Sequence, residues 1–528
     1  MTGRPIARRS HPATLVPSLA PSLVPSLAAL LVVSLNASCG HRPEGDAVAP
    51  SATSAITASP ATATQGASSA SAAPSTAQTA SPEETPDVEV IPPRMPDSER
   101  PSAKFAQPPG VSAAKWKPMF ETYGSLLDLD PILDDHHRDH PDITKIVELA
   151  TTHEGRKMKA MLIADNPSRA CRAKPGDKPS LPARPSVLIN GAHHGDEALS
   201  ATIALDAIDT LLSGAKSDPK IQRYLSELCI WVVPMVNRDG FNAFLTDLTS
   251  GRKNGRETRK DRSPLKARGV DLNRNYPFRW GATREVGSSK NPNRRSYRGE
   301  EAMSEPETKA MVALSDREHF IGSISYHIGT VALLAPYTIE DVAVPVPNEA
   351  WTVAEDVARA MPKIDTRPVT VRKNLYAVDG TDQDYHRYAH GTLAFLLESA
   401  AKSWDSPALA KKATKLIRPS WMRLLDRYLD GPSVEGRVTD EAGHPISAKV
   451  EIVEVRTRAG EEWRSRCVDG FWGRYLPAFG KFTVRVTPPG SGAPIDKTVD
   501  VAAGKGRVRV DIVIPGKTEP TCRDPKRN

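Results

Sequence analysis

The stretch Ser186-Val-Leu-Ile-Asn-Gly-Ala-His-His-Gly-Asp-Glu197 decides how the rest of the chain is interpreted. Ser186 to Asn190 predict a buried strand, because three successive positions are apolar. Gly191 breaks the strand, and a helical apolar pattern begins at Ala198. The two histidines and two acids between them therefore lie at the carboxyl end of a strand, where open α/β sheets bind their ligands.

His194 and Glu197 are the first candidate metal ligands of the chain. Catalytic zinc takes three nitrogen or oxygen ligands and leaves a fourth position for water, so one imidazole and one carboxylate suit it. A His and a Glu three apart also occur by chance, most often as a helix N-terminal cap beside an unrelated histidine. The pair therefore needs a third ligand from elsewhere in the chain.

Two later strands end in side chains that complete such a set. His327 follows the apolar strand Ile321 to Tyr326, and is the candidate third ligand. Glu398 closes the strand Thr392 to Leu397, and is either a solvated strand end or a catalytic base. Together these residues predict one zinc ion with a carboxylate beside it.

The alternation of predicted elements indicates the fold class. Residues 111–431 alternate strands with helices, which predicts an α/β fold with a mixed sheet and helices on both faces. Residues 432–516 instead show short alternating apolar and polar segments between Gly- and Pro-rich turns, which predict a small antiparallel β-sandwich. Residues 517–528 form a polar tail.

The amino-terminal residues predict export. Residues 1–39 begin with arginines and contain an apolar run, Leu27 to Leu35, that is shorter than the roughly 20 residues needed to span a bilayer. Small residues before Cys39 resemble the processing site of a bacterial lipoprotein, although Asn36 stands where an aliphatic residue is usual. The protein is expected either in the bacterial cell envelope, anchored through Cys39, or secreted. Residues 40–110 are rich in Ala, Ser, Thr and Pro and predict a disordered linker.

Charge and cysteine content exclude several classes of protein. The net charge of +7 is mild, and without a basic stripe interleaved with aromatic residues it gives no indication of nucleic-acid binding. Five cysteines are too few for a disulfide scaffold. Cys171 with Cys229 and Cys467 with Cys522 is one pairing that export permits, and buried free thiols are the alternative.

Arginine and asparagine accumulate near the predicted site. The segments Asn237 to Gly240, Arg252 to Asn254 and Gly269 to Pro277 carry them. Planar guanidinium groups bind carboxylates with two parallel hydrogen bonds, so a loop of this composition beside zinc suits a substrate with a free carboxylate. A solvated basic loop is the alternative.

These motifs, in this order, resemble the zinc metallocarboxypeptidases related to pancreatic carboxypeptidase A, the M14 peptidases. The resemblance extends from near Tyr123 to near Asp430. It implies that one Zn²⁺ is held by His194, Glu197 and His327. It also implies a catalytic role for Glu398 as general base and for Arg252 as the residue that polarises the scissile carbonyl. The substrate-binding residues that it implies are Asn273 and Arg274 for the terminal carboxylate, Tyr376 as a mobile tyrosine and Gln383 in the side-chain pocket.

The predicted sandwich after the catalytic domain is similar to the transthyretin-like domain of the regulatory carboxypeptidases N, E, M and D. Three positions depart from family patterns. Asp196 replaces an arginine of the pancreatic members, and Arg238 stands where a proline is usual. Thr338 occupies the position of the aspartate that regulatory members use for basic side chains, with Asp382, Glu340 and Asp341 as candidate substitutes.

The resemblance implies an exported zinc-dependent metallocarboxypeptidase that hydrolyses the C-terminal peptide bond of peptides or proteins with a zinc-activated water. An amidase of cell-wall peptides or N-acyl amino acids is the alternative hydrolase. An inactive surface binding protein is a further alternative, and is disfavoured because all ligands and the base are present. The expected partners are peptide or protein C-termini. No nucleic acid is expected, a membrane is expected only through Cys39, and the expected state is a monomer.

Overall fold

The computed structural model describes residues 121–516 apart from 172–183, 247–248, 258–267, 401–405 and the single positions 341, 347, 365 and 491. The predicted signal segment, the linker and the polar tail lie outside the described residues, as do Cys39 and Cys522. All described residues belong to one compact unit. The predicted domain limits at 111, 431 and 516 stay predictions.

A mixed eight-stranded sheet forms the centre of the described chain, in the strand order β1-β2-β4-β3-β5-β8-β6-β7. The neighbouring strands β4, β3, β5 and β8 run parallel to one another. The antiparallel pairs are β1 with β2, β2 with β4 and β6 with β8. The strands are β1 Thr144–Thr151, β2 Lys157–Ile163, β3 Ser186–Gly191, β4 Cys229–Val233, β5 Gly322–His327, β6 Val331–Leu334, β7 Val371–Arg372 and β8 Leu393–Ser399.

Helices cover both faces of this sheet. Alternate residues of a strand point to opposite faces, and in β3 Val187 and Ile189 belong to one hydrophobic cluster while Leu188 belongs to another. This confirms the predicted α/β class. The helices are α1 Leu129–Asp139, α2 Pro167–Ala170, α3 Ala198–Gly214, α4 Pro219–Glu227, α5 Arg238–Leu245, α6 Pro306–Glu318, α7 Glu349–Ala360, α8 Asp382–His390, α9 Pro407–Ile417 and α10 Pro419–Leu429.

The strand that opens the sequence argument is one residue longer than predicted. Gly191 belongs to β3 because it pairs with Tyr326 of β5, and α3 packs directly over it. A Cβ atom at Gly191 would lie only 2.4 Å from the backbone oxygen of Ser200. The glycine therefore permits close packing of helix on strand rather than ending the strand.

No single described helix is long and apolar enough to cross a membrane, and one bent pair, α3 with α4, meets the length and composition requirement jointly.

Cys171 and Cys229 form a disulfide whose Cα atoms are 5.8 Å apart. This confirms the predicted disulfide between Cys171 and Cys229 and contradicts the alternative of free buried thiols at these two positions. The bond ties the segment after α2 to the first residue of β4. Cys522, the predicted partner of Cys467, lies outside the described residues.

The C-terminal strands form two small sheets that share one hydrophobic core, to which Val434 and Val438 contribute from one sheet and Val484 and Val486 from the other. The sheet β10-β12-β13 is antiparallel, as predicted. In the other sheet, however, β14 and β15 run parallel to β9. The strands are β9 Ser433–Asp440, β10 Lys449–Ile452, β11 Phe471–Tyr475, β12 Gly480–Thr487, β13 Ile495–Val501, β14 Val508–Arg509 and β15 Ile512–Ile514.

The prediction of a wholly antiparallel sandwich is therefore wrong for its last strand. β13 lies in the sheet opposite β9, so the connection to β14 crosses between sheets and is not a hairpin. A chain that enters by such a crossing is free to run parallel to its neighbour. Asp511, which accepts a hydrogen bond from the Arg437 N–H at 2.9 Å, lies between β14 and β15.

The C-terminal sheets pack against the amino-terminal end of β3. The buried guanidinium of Arg466 donates to Ser186 Oγ at 3.2 Å and to the carbonyl oxygen of Glu318 at 3.1 Å. Phe471 and Tyr475 of β11 join the hydrophobic cluster of the main sheet. The C-terminal sheets thus hold the end of β3 that is opposite to the candidate site.

Candidate metal centre and active site

Three neighbouring parallel strands end at the same edge of the sheet, and this edge carries the candidate site. In the register of β5 and β8, His327 is paired with Glu398. Gly191, at the end of β3, is paired with Tyr326. His194 follows β3 by three residues, so the sheet register alone places His194, His327 and Glu398 side by side.

The turn after β3 depends on a second glycine. A Cβ atom at Gly195 would lie 2.1 Å from the backbone nitrogen of Phe241 and 2.2 Å from the carbonyl carbon of Gly240. Asn237 fastens the same region, because its Nδ2 donates to the carbonyl oxygens of His193 at 3.2 Å and Arg252 at 3.1 Å. The ligand turn therefore lies directly on the start of α5.

Two imidazoles and one carboxylate converge at this edge. His194 Nδ1 lies 2.8 Å from Glu197 Oε1, and His327 Nδ1 lies 3.0 Å from Glu197 Oε2. One donor atom from each of the three residues lies within 4.8 Å of the others. The side chains of His194 and His327 are 5% and 2% exposed, so the group is shielded from solvent.

Asp271 orients this group, and the sequence analysis gave it no role. Its carboxylate lies 3.1 Å from His194 Nε2 and accepts from Arg252 Nε at 3.0 Å and Nη2 at 2.8 Å. A carboxylate on the outer nitrogen fixes the tautomer that leaves the inner nitrogen for a metal. Asp271 lies in the segment Gly269 to Asn275. Its position close to Asn273 and Arg274 is the feature of the sequence that could have indicated a role in the site.

The charges of the group favour a cation. Burial and the Arg252 charge lower the pKa of His194, but Glu197 and Asp271 outweigh them and raise this pKa to about 9. Burial opposes ionisation of Glu197, yet His194 and His327 hold its pKa well below the usual value. Two imidazole nitrogens and a carboxylate at this spacing fit the donor set and the geometry of a zinc site.

Glu398 lies beside the three candidate ligands, and no residue in the described part of the chain forms a hydrogen bond with its Oε2 atom. Burial raises its pKa, and the Glu197 charge raises it further. Gly329 leaves room in front of it, because a Cβ atom there would lie 3.1 Å from that oxygen. A largely buried carboxylate with a raised pKa next to a metal site is typical of a general base.

One cavity collects most of the predicted site residues. Seven of the nine site residues predicted from the sequence line this cavity. The other two, Glu197 and Arg252, do not line it but contact His194. The lining residues are His194, Asn273, Arg274, His327, Leu334, Asn374, Leu375, Tyr376, Val378, Thr381, Gln383, Leu396 and Glu398.

Arg274 and Asn273 are held rigidly in the cavity wall. Arg274 donates from Nε to the carbonyl oxygen of Gly287 at 2.9 Å and from Nη1 to that of Asn273 at 2.7 Å. Its Nη2 lies 3.4 Å from the hydroxyl of Tyr376, a residue that is 57% exposed. The side-chain oxygen of Asn273 accepts from the Asp382 N–H at 2.9 Å, which directs its NH₂ group away from that contact.

The amide of Gln383 is oriented by a short relay. Its Nε2 donates to Thr338 Oγ1 at 3.0 Å, and that hydroxyl donates to Asp384 Oδ2 at 3.0 Å. The Gln383 Oε1 atom is buried and has no partner among the described residues. The amide thus turns a bare acceptor oxygen away from Thr338.

Two residues that the sequence offered near the site do not line the cavity. Arg238, in the segment Asn237 to Gly240, does not reach the site, because its guanidinium binds Asp130 at 2.9 Å and the carbonyl oxygen of Lys157 at 2.6 Å. Asp382 does not line the cavity, and its carboxylate lies 3.9 Å from His193 Nε2 instead. Of the other candidate substitutes, Glu340 is exposed and Asp341 lies outside the described residues.

A largely buried set of two histidines and a glutamate, placed at strand ends beside a further carboxylate, defines a mononuclear metallohydrolase type of site. Residues 130–414, more than half of the chain, match the family model described as zinc carboxypeptidase. The chain belongs to the zinc carboxypeptidase family, M14. This confirms the family part of the resemblance.

Curated relatives are similar over part of their length. Metallocarboxypeptidase A of Trichophyton tonsurans is 28% identical over 274 residues, which cover 50% of this chain and 60% of the relative. Human carboxypeptidase A6 is 27% identical over 228 residues, which cover 43% and 47% of the two chains. The carboxypeptidase A of Helicoverpa armigera, a solved structure, is 20% identical, covers 58% of this chain and 71% of its own, and has a TM-score of 0.47. The chain thus spans less than two thirds of the curated relatives named here.

Proposed function

We propose that this protein is an exported zinc-dependent metallocarboxypeptidase that hydrolyses the C-terminal peptide bond of peptides or proteins. One observation carries the proposal. His194 and His327 of the metal-ligand group and the carboxylate of Glu398 border the same cavity as the fixed guanidinium of Arg274. A water-activating centre facing a carboxylate receptor is what removal of a C-terminal residue requires.

The proposed roles follow from the geometry. Zinc held by His194, Glu197 and His327 would supply Lewis acidity that polarises the scissile carbonyl and acidifies a water. Glu398 accepts the proton of the attacking water and later passes it to the leaving amine. Arg252, fixed by Asp271, donates to the oxygen that becomes negative, and one such donor typically contributes about 3 kcal/mol.

The substrate carboxylate is assigned to Arg274 and Asn273, with Tyr376 above them. The guanidinium of Arg274 is held by two backbone carbonyl oxygens, so a bound carboxylate meets a donor that needs no reorganisation. Tyr376, the most exposed of the predicted site residues, is placed to cover the substrate. This arrangement makes a free C-terminus part of the recognised group.

Arg274→Lys keeps a positive charge but removes the planar pair of donors. We expect kcat/KM for an N-blocked dipeptide to fall roughly 100-fold, because charge-assisted hydrogen bonds typically contribute 1.5–3 kcal/mol. Slow turnover of the same dipeptide as its C-terminal amide should change far less. Arg294→Ala, at an exposed arginine, is the matched control. An equal loss on the acid and the amide would exclude Arg274 from carboxylate recognition.

The cavity supports a preference for neutral side chains. Leu334, Leu375, Val378 and Leu396 supply apolar walls, and Gln383 offers only an unpaired acceptor oxygen. No carboxylate of the described residues lines the cavity apart from Glu398. We infer that aliphatic and aromatic last residues are cleaved best, basic ones less well, and acidic ones least.

A panel of N-blocked dipeptides with aliphatic, aromatic, basic and acidic last residues tests both the activity and this order. We expect release of the free amino acid, sensitivity to chelation, and recovery on adding zinc. Cell-wall peptides and N-acyl amino acids belong in the same panel. Hydrolysis confined to those compounds would replace the proposal by the amidase alternative, and absence of any hydrolysis by the zinc-loaded protein would favour the inactive binding protein.

Three further assignments concern the subfamily, export and lipid attachment. The two C-terminal sheets with a shared core support a transthyretin-like domain of the regulatory subfamily. The Cys171–Cys229 disulfide supports an oxidising compartment, and so export. Lipid attachment at Cys39 follows from its sequence context alone. A mass spectrum of the purified membrane fraction would detect a diacylated Cys39, and a soluble product lacking it would indicate secretion.

A further inference from the structure

A second group of metal-ligating side chains lies outside the cavity. His153 is in the turn between β1 and β2, Glu305 precedes α6 and Glu307 is in the first turn of α6. One donor atom from each lies within 4.8 Å of the others, and only one other group of three among the described residues meets this test. His153 Nε2 and Glu305 Oε2 are 2.9 Å apart.

The two carboxylates are fully buried, and one of their oxygens is left without a partner. Arg256 pairs with Glu305 Oε1 at 2.7 Å, and the Asn254 amide donates to Oε2 of Glu305 at 2.8 Å and of Glu307 at 3.2 Å. The remaining oxygen, Glu307 Oε1, is buried and has no hydrogen-bond partner among the described residues. An unpartnered buried carboxylate oxygen is strongly unfavourable, so a cation that binds it would be stabilised.

We propose that His153, Glu305 and Glu307 bind a divalent transition-metal ion, separate from the catalytic zinc. An imidazole with two carboxylates is a donor set that Zn²⁺ and its neighbours accept. The ion has a path from solvent, because the 31% exposed His153 lines an open pocket with Arg256 and Ser304. Arg256 also reaches Glu300 Oε2 at 3.0 Å, so it keeps an anionic partner when Glu305 turns to the metal.

The bound ion has a structural effect on the loop that carries Arg252. Asn254, two residues after Arg252, contacts both glutamates and also accepts from the Val270 N–H at 2.9 Å. Val270 precedes Asp271, which orients Arg252. An ion at this second centre therefore braces the β1–β2 turn, the start of α6 and the segment behind the catalytic guanidinium.

Zinc content measured by elemental analysis, after equilibration with excess zinc and removal of unbound metal, tests the proposal. We expect two ions per chain in the unmodified protein and one in His153→Ala, which removes a side chain that is 31% exposed. Glu307→Gln, which keeps the oxygen that Asn254 contacts, should also retain one. Glu301→Gln, an exposed neighbour outside these contacts, should retain two.

The His327→Ala background separates this site from the catalytic one. There a single ion should remain and should raise the unfolding temperature on adding zinc, and the added change His153→Ala should abolish both effects. Unchanged zinc content in His153→Ala and Glu307→Gln would overturn the proposal, whatever the activity of the enzyme. Loss of the single ion from His327→Ala alone would do the same.

Discussion

Replacing Glu398 with glutamine is expected to lower kcat by roughly 10³-fold on a good dipeptide substrate while zinc remains bound, because a positioned general base typically contributes 10²–10⁴-fold. The substitution preserves shape and removes the ability to accept a proton. Glu398 Oε2 has no hydrogen-bond partner among the described residues, so the change leaves their hydrogen bonds intact. The raised pKa of Glu398, caused by burial and by Glu197, fits a group that must take and return a proton.

The measurement is kcat and KM beside zinc content and unfolding temperature for the same preparation. Glu340→Gln, an exposed glutamate outside the cavity, is the matched control and should behave as the unmodified protein. A reduced kcat with full zinc occupancy assigns the loss to proton transfer. Turnover within a few-fold of normal would remove Glu398 from the mechanism.

Replacing His327 with alanine is expected to abolish both zinc binding at the catalytic centre and detectable hydrolysis. The substitution leaves His194 and Glu197 as the only protein ligands of that centre, one fewer than the three that catalytic zinc sites use. Asp271→Asn is expected to have a smaller effect, a 10–100-fold loss of zinc affinity, because it removes only the carboxylate that orients His194.

Zinc affinity is best followed by competition with a chromogenic chelator, with hydrolysis assayed on the same samples. His444→Ala, a partly exposed histidine of the C-terminal sheets, controls for the loss of an imidazole. The expected order of affinity is unmodified protein, then Asp271→Asn, then His327→Ala. Normal affinity in His327→Ala would show that the three residues do not share one ion.

Local patterns were enough to predict the strand ends that carry the site. The apolar runs before His327 and Glu398 predict strands, and parallel neighbours necessarily bring their carboxyl ends to one edge. The family motif then assigned Asn273, Arg274, Tyr376 and Gln383, and the structure places all four on the same cavity. Site residues that lie at the carboxyl ends of strands can therefore be predicted from the sequence.

Contacts between segments that are far apart in the sequence could not be predicted in the same way. Arg238 lies beside two candidate site segments in sequence, yet its guanidinium pairs with Asp130, 108 positions away. His153 and Glu305 are 152 positions apart and belong to no shared motif. The direction of β14 likewise depends on which sheet the preceding strand joins. Each outcome is set by tertiary packing, which local periodicity does not encode.

The clamp on the amino-terminal end of β3 has a practical consequence for anyone producing fragments of this chain. Arg466 forms a hydrogen bond with Ser186 at this end of the strand, and Phe471 and Tyr475 belong to the hydrophobic cluster of the main sheet. A recombinant product that stops near residue 431 would lose the hydrogen bonds of Arg466 to Ser186 Oγ, at the amino-terminal end of β3, and to the Glu318 carbonyl oxygen. The carboxyl end of the same strand leads to His194. The catalytic body and the C-terminal sheets should accordingly be cloned, purified and crystallised as one piece.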